Sequence, residues 1–593
     1  MRNSNASRSG SRRSRSGGQH GQTKKGRPAG ELRWVPLGGM GEIGKNLSFF
    51  EYGEEILVVD CGLKFPEEEM LGIDFVIPDA QYLVENRHRI QGIFLTHGHE
   101  DHIGGLPFIL PKLDVPVYGT RLTLGLVENK LNEACPRYRP KLVEIRAGET
   151  TQAGSFSVQG ISVCHSIPDS LGFAIRTPVG LVVHTGDFKL DATPIDGRIT
   201  DYSAFAELGK EGVLLLLSDS TNVEREGFTA SERTVGQTFE QLFRLYKDRR
   251  IVISTFASNL HRAQQVFQTA ARYNRKVALV GRSMISYVEL ARKLGYVDAP
   301  DDLFISQQDI ESTPPNRLVV LTTGSQGEPF SGLVLMSKGE HRQIRLGSKD
   351  LVVISATPIP GNEKLVSRTV NLLFACGAEV VYDRSQAIHV SGHASKEELK
   401  IILSLVRPKC FAAVHGEYRH QVRHVQLARE LGVPAKQVFV LTNGDVLKLV
   451  DGKGQISGRV PSGSVLVDGV ALGESEGSLL RERRELAEDG LIALSLVVDE
   501  QFRIASPISI ESKGFLHCQD AKDLYREMEG AVRKALEPLA GHPETDPDSV
   551  PTLIRKKLRD VLSRYSRTYP TLIPLVTRLG QPTPTKGRKR SAA

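Results

Sequence analysis

The sequence predicts an α/β protein of several domains. Short apolar runs punctuated by glycine fill its first third, and the middle alternates such runs with amphipathic stretches of helical length. Several predicted strands end in histidine or aspartate, the place where α/β sheets carry their chemistry. A chain of 593 residues has room for two to four domains of about 150 residues each.

In chain order, residues 32–37, 47–52, 56–60, 93–96 and 115–118 read as strands, and 181–184 and 213–217 continue the pattern. The last two run into Thr185-Gly186-Asp187 and Ser218-Asp219-Ser220. Between 228 and 385, helical stretches at 231–247 and 259–273 alternate with strands at 251–254, 277–280, 318–322 and 351–355, which is the pattern of a doubly wound unit. A His-rich loop at 389–393, a helix at 395–405 and a strand at 410–414 ending in His415 follow. Residues 454–478, rich in Gly, Ser and Val, read as a connector in which 464–472 can pair as a strand. The remainder has strands at 491–498 and 505–512 and then two helices. In the second helix Val550, Leu553, Ile554, Leu558, Val561, Leu562 and Tyr565 form one face, and Arg555, Lys556, Lys557, Arg559 and Arg564 fall largely elsewhere.

Composition narrows the function classes. The longest apolar runs fall far short of the ~18 residues of a membrane span, and the N-terminus lacks a signal-peptide core, so a cytoplasmic protein without membrane partners is expected. Cys61, Cys135, Cys164, Cys376, Cys410 and Cys518 show no CxxC pairing, which argues against a disulfide framework or a cysteine zinc knuckle and leaves buried thiols. The net charge of +7 sits in the tails. Eight cations lie in residues 1–30 and four in 581–593, and removing these twelve leaves the body at −5. Both tails are too polar to offset their ordering entropy, and as disordered basic arms they would attract polyanions.

The segment Thr96-His97-Gly98-His99-Glu100-Asp101-His102-Ile103-Gly104-Gly105 follows a predicted strand and carries most of the information. Three imidazoles and a carboxylate within six residues are borderline-soft ligands suited to Zn²⁺ or Mn²⁺. Packed together without a cation they would suffer desolvation and mutual repulsion. His97 and His99 can share one ion, while Asp101 and His102 face a second. Further ligands stand at strand ends: His165, Asp187 and His415.

These residues carry a resemblance. The His97-x-His99-x-Asp101-His102 motif with Gly104-Gly105, His165 and Asp187 resembles the dinuclear hydrolases of the metallo-β-lactamase fold. Asp219, His393 in His389-Val390-Ser391-Gly392-His393, and His415 in Val414-His415-Gly416-Glu417 match the three motifs of the β-CASP group, and the order and C-terminal extension are similar to the bacterial ribonuclease J family over roughly residues 31–575. The implied fold is a metallo-β-lactamase αββα sandwich in two parts, 31–227 and 386–455, with an inserted β-CASP α/β domain at 228–385. A connector at 456–478, a small C-terminal α+β domain at 479–575 and a basic tail at 576–593 complete it, after a disordered basic arm at 1–30.

The resemblance also implies a mechanism. One divalent ion, Zn²⁺ or Mn²⁺, would be held by His97, His99 and His165, a second by Asp101, His102 and His415, with Asp187 shared and a water activated between them. His393 would be the general acid, oriented by Asp219, and residues 389–393 would bind substrate phosphate, with Ser391 and His393 in contact. The implied activity is 5′-to-3′ exonuclease and endonuclease cleavage of RNA, in RNA maturation and mRNA decay. The implied partners are RNA, further copies of the chain in a homodimer or dimer of dimers, and RNA-degradation complexes.

Weaker signals have simpler readings. Gly72, Asp74 and Asp468 fall where some family members hold a structural calcium, although a lone aspartate pair is ordinarily surface. The segments 324–329 and 258–262 can contact phosphate or RNA, or serve as a tight turn and a helix cap. The rivals to a ribonuclease are a DNA-directed β-CASP nuclease, a small-molecule metallo-hydrolase of the lactonase or thioesterase kind, and a non-catalytic RNA-binding scaffold. The inserted unit argues for a long substrate, and the complete ligand set argues against a scaffold.

Overall fold

The computed structural model describes residues 30–580 apart from 68, 360, 470, 474–477, 516–521, 543 and 567, so the arm up to residue 29, Cys518 and the tail from 581 lie outside the described residues. The chain divides into two compact units, one reaching to residue 64 and resuming from 77 to 464, the other built from 65–76 and from 465 onward.

Two sheets dominate the first unit. One has eight strands in the order Lys453–Arg459, Asp445–Val450, Leu32–Gly38, Leu47–Tyr52, Glu55–Val59, Ile90–Phe94, Val117–Gly119 and Leu142–Glu144. The other has seven, in the order Val438–Phe439, Cys410–Val414, Val213–Asp219, Gly180–His184, Leu171–Thr177, Phe156–Ser162 and Thr150–Ala153. Central strands such as Val213–Asp219 and Cys410–Val414 are apolar on both faces because both faces are covered. In Cys410–Val414, Cys410, Ala412 and Val414 point into the core between the sheets, with Leu57, Phe94, Phe173 and Val182. The alternate residues Phe411 and Ala413 pack with Phe205, Leu399, Ile402 and Val425, from helices Tyr202–Glu211, Lys396–Val406 and Tyr418–Glu430. Phe94 meets Phe173 edge-on across the core, ring centroids 6.0 Å apart. On the other sheet, helix Arg121–Ala134 buries Leu122, Leu126, Val127 and Leu131, giving the expected αββα layering.

Register places the chemistry. Strands Gly180–His184, Val213–Asp219 and Cys410–Val414 are adjacent and parallel, with His184 opposite Leu217 and Asp219 opposite Val414. Their carboxyl ends therefore deliver Asp187, Asp219 and His415 to one rim.

The inserted domain is a fully parallel six-stranded sheet, ordered Phe304–Ile305, Lys276–Val280, Leu318–Thr322, Arg250–Ser254, Asp350–Ile354 and Glu379–Val381. Val252, Val320 and Val352 pack on one face against Leu333, Met336 and Val370. Helix Arg233–Leu245 is two residues shorter at each end than expected, and Leu260–Arg272 one residue shorter at each end.

In the second unit, Ile492, Leu494, Leu496 and Val498 of strand Leu491–Val498 pack on helices Lys522–Leu536 and Ser549–Tyr565. Val550, Ile554, Leu558, Val561 and Leu562 are buried as expected, but Tyr565 is exposed. The strand expected from 505 begins only at Ser509, because Pro507 has no N–H to give a ladder and the Ser506 hydroxyl oxygen takes the Val497 amide instead. The expected connector at 456–478 is corrected: strand Lys453–Arg459 closes a hairpin with Asp445–Val450, Ser464–Asp468 pairs with Ala471–Gly473, and a helix starts at Ser478. Its alternation is weak because Lys453–Arg459 is an exposed edge strand. Among the described residues, Cys61, Cys164 and Cys410 are buried, whereas Cys135 and Cys376 are only partly so, and none forms a disulfide. No described helix is long and apolar enough to cross a membrane.

Candidate metal centre

The loop after strand Ile90–Phe94 enters the short helix Glu100–Ile103, with His99 as its N-cap. Backbone bonds clamp it from below: Cys61 N–H donates to the His102 carbonyl (2.8 Å) and Asn46 N–H to the Asp101 carbonyl (2.9 Å). The packing requires glycine at 62, where a Cβ would stand 1.6 Å from the Asp101 carbonyl oxygen. Glu100 turns away from the cluster, to Lys130 and the Tyr287 hydroxyl of the inserted domain.

All seven expected ligands converge. His99 Nδ1 lies 3.0 Å from His97 Nε2 and 3.1 Å from His165 Nε2. Asp101 Oδ2 lies 3.1 Å from His415 Nε2, and Asp187 Oδ2 lies 3.2 Å from His102 Nε2 and 3.7 Å from His97 Nε2. The donor atoms form one group of His97, His99 and His165, another of Asp101, His102, Asp187 and His415, and a third, overlapping the second, of Asp187, Asp219, His393 and His415. Asp187 stands between them.

Outer partners decide which nitrogens face inward. His165 Nδ1 meets the Gly392 carbonyl at 2.8 Å, and a carbonyl only accepts, so the proton is on Nδ1 and Nε2 is bare. His102 Nδ1 likewise donates to Asp60 Oδ2 (2.8 Å). Thr96 Oγ1 contacts both Asp60 oxygens and sits 3.0 Å from His97 Nδ1. His97 Nε2, His99 Nδ1 and His165 Nε2 therefore face one another in the first donor group, and His102 Nε2 faces the second. Two imidazole nitrogens sharing a tetrahedral zinc stand about 3.3 Å apart, so the donor set fits an ion within a few tenths of an ångström.

Electrostatics agree. Burial, with neighbouring imidazoles adding to it, holds His97 and His165 well below the usual histidine range, and burial brings His99 down to about 4, so these rings are neutral donors. In the second group burial also disfavours the imidazolium, but carboxylates outweigh it: His102 is held well above its ordinary value by Asp187, Asp101 and Asp60, and His415 is pushed up to about 10, chiefly by Asp187. In this half the carboxylates hold protons on the two rings, positive charge whose place a dication would take.

Beside the ligands, His393 Nδ1 is 2.7 Å from Asp219 Oδ2, and Asp219 Oδ1 accepts from Thr221 N–H and Oγ–H. Burial works against protonation of His393, yet Asp219 with Asp187 raises its pKa. The loop 389–393 is shaped from behind. Asn222 Nδ2 donates to Ser391 Oγ (2.8 Å) and to the His393 carbonyl (3.0 Å), Val390 is buried, and a Cβ on Gly392 would stand 2.7 Å from the His165 ring.

Other expectations change. Arg262 is wholly buried and Asn259 caps its helix, so 258–262 does not offer this arginine to RNA. In 324–329, Ser325 and Gln326 are buried, and Gln326 bonds the Thr357 carbonyl and the Ile359 amide, which makes it a turn. For the expected calcium, Asp74 Oδ2 accepts from Gly469 N–H, while the Arg483 guanidinium binds Asp468 and the Leu71 carbonyl next to Gly72. A cationic side chain thus already faces that corner, and the geometry gives calcium no support. Sequence reasoning missed Asp60, Thr96 and Asn222. Asp60 had a signal, since it ends an apolar strand as Asp187 and Asp219 do.

Fold and centre together define a metallo-β-lactamase-type metal-dependent hydrolase with a β-CASP insertion. Family models agree: the metallo-beta-lactamase superfamily over residues 40–222, the ribonuclease J beta-CASP domain over 248–373, the Zn-dependent metallo-hydrolase RNA specificity domain over 377–441, and the ribonuclease J C-terminal domain over 478–579. The chain is 41% identical to Ribonuclease J2 of Bacillus subtilis over 92% of its own length and 98% of that protein. It is 45% identical to Ribonuclease J of Synechocystis over 82% of its length and 75% of that protein. A crystal structure of an Enterococcus faecalis protein of unknown function shares the fold, with TM-score 0.51 at 18% identity, over 71% of this chain and all of that one. The chain belongs to the ribonuclease J family.

Proposed function

We propose that this chain cleaves RNA as a 5′-to-3′ exonuclease and an endonuclease, in RNA maturation and mRNA decay, with two divalent ions, Zn²⁺ or Mn²⁺, supplying an activated water and neutralising phosphoryl charge. Membership of the family makes it a hydrolytic ribonuclease. The observation that carries the two-ion reading is the pair of neighbouring donor groups, with Asp187 in one and its Oδ2 3.7 Å from His97 Nε2 and 3.9 Å from His165 Nε2 of the other. His97, His99 and His165 would hold one ion, Asp101, His102 and His415 the other.

The remaining steps belong to side chains. Cleavage leaves charge on the 3′-oxygen, and His393 supplies the proton from Nε2. Its Nδ1–H is anchored on Asp219, which fixes the ring and favours the imidazolium. His389, Val390, Ser391 and Gly392, with His393, form the phosphate-binding stretch, whose shape Asn222 and Thr229 maintain through the Ser391 hydroxyl and the His393 carbonyl. Assembly into a homodimer or dimer of dimers completes the reading, and a mass measurement on the intact protein in solution tests it.

The decisive experiment offers end-labelled RNA bearing 5′-monophosphate, triphosphate or hydroxyl alongside DNA of the same sequence. Release of mononucleotides from the 5′-monophosphorylated RNA, with internal cuts in the triphosphorylated one, is expected. Equal cleavage of DNA would favour a DNA-directed nuclease, and undiminished cleavage after metal stripping in excess EDTA would end the metal mechanism.

A further inference from the structure

Arg262 is fully buried, in helix Leu260–Arg272 of the inserted domain. Its Nε and Nη2 clasp the two oxygens of Glu232 at 2.7 and 2.9 Å, and Glu232 also receives Gln265 Nε2 (3.3 Å). The remaining arm, Nη1, donates to the Ser355 carbonyl (2.7 Å) and to His389 Nδ1 (3.0 Å). Ser355 in turn donates its hydroxyl to the Ile388 carbonyl (2.6 Å). Glu232 is tied back to the sandwich through its own N–H, which donates to Asp191, the partner of Lys189.

Stability does not account for this arrangement, because a buried ion pair is on average no more stabilising than apolar side chains of the same volume. What the arginine supplies, and an apolar residue does not, is a directed N–H at the start of the phosphate loop. A guanidinium has donors only. The nitrogen it meets on His389 must therefore be bare, and the ring proton resides on Nε2.

We propose that Arg262 is a positioning residue for RNA: it fixes His389 as the Nε2–H tautomer, so that the loop presents an imidazole donor to a substrate phosphate. The inference rests on the reading of residues 389–393 as the phosphate-binding stretch. Glu232 completes the device by holding the guanidinium at two points, leaving one arm to aim.

The test uses the full-length, metal-loaded protein and a 5′-monophosphorylated single-stranded RNA, with kcat, KM, RNA affinity and metal content measured together. His389→Ala is the reference. Arg262→Lys keeps the charge against Glu232 but loses the fork, and the paired variant Glu232→Gln with Arg262→Met removes both charges together. Each is expected to raise KM roughly tenfold, the loss of one hydrogen bond to a charged group, with kcat and metal content unchanged. Arg262→Lys combined with His389→Ala should be no weaker than His389→Ala alone. If His389→Ala raises KM but neither arginine variant does, or if the effects multiply in the combined variant, the positioning role is wrong. Loss of metal in both arginine variants would likewise overturn it, assigning Arg262 to the scaffold of the centre. An unchanged KM in His389→Ala would instead locate the failure in the phosphate-loop reading.

Discussion

Gly392 and His165, 227 residues apart, form a direct contact in which the glycine carbonyl accepts the imidazole Nδ1–H at 2.8 Å. The stretch proposed to bind phosphate is thereby the outer partner of a proposed metal ligand. Gly392→Ala places a methyl against the ring, and metal affinity at the first donor group should fall 10- to 100-fold, as when an outer-sphere partner is lost. Metal stoichiometry after dialysis measures this, and full retention would separate loop from ligand.

Asp60 contacts His102 directly and His97 through Thr96, so it orients ligands of both donor groups. Asp60→Asn should weaken binding of both ions by about 10- to 100-fold while the fold persists. Metal titration followed by circular dichroism distinguishes this from unfolding.

The two donor groups should also part company in acid. His102 and His415, raised by their carboxylates, carry protons that an incoming ion must displace, so binding there weakens with each step in pH below about 10. His97, His99 and His165 are neutral until well into acid, near pH 4 for His99. Lowering the pH from 8 to about 5 should strip the second ion first, and calorimetry in two buffers should record proton release only for that site. Simultaneous loss of both would contradict the division.

With His393 as the proposed general acid, the proton is donated only while the ring is charged, so activity should fall as pH rises through its pKa, which Asp219 raises. Asp219→Asn removes that support. The alkaline limb of the kcat profile should move to lower pH, and His393→Ala should depress turnover at least 100-fold with both ions retained. Loss of metal from His393→Ala would make it a ligand instead.

Deletion of residues 1–30 removes eight cations and no acids. If the arm touches RNA, affinity falls mainly at low salt and the slope of log affinity against log salt becomes shallower. An unchanged slope would leave the arm a solubility element.

Much of this was legible in the residues themselves. Dense clusters such as His97 to His102 announce themselves, and strand ends delivered Asp187, Asp219 and His415 because their apolar runs are nearly unbroken. Asp60 escaped because it stands alone, and its role arises only when the neighbouring strand Ile90–Phe94 brings Thr96 and His102 onto it. Of the two readings open for 258–262 the helix cap holds, and the burial of Arg262 had no local signal because its partner Glu232 stands thirty residues earlier. Strand Lys453–Arg459 lacked a signal because an edge strand needs little apolar patterning.

His415 reaches the rim only after strand Cys410–Val414 docks beside Val213–Asp219. During synthesis, a polypeptide still short of that strand therefore lacks a donor of the second group. On the proposed ligand set, the second ion site is therefore complete only once more than two thirds of the chain has been made.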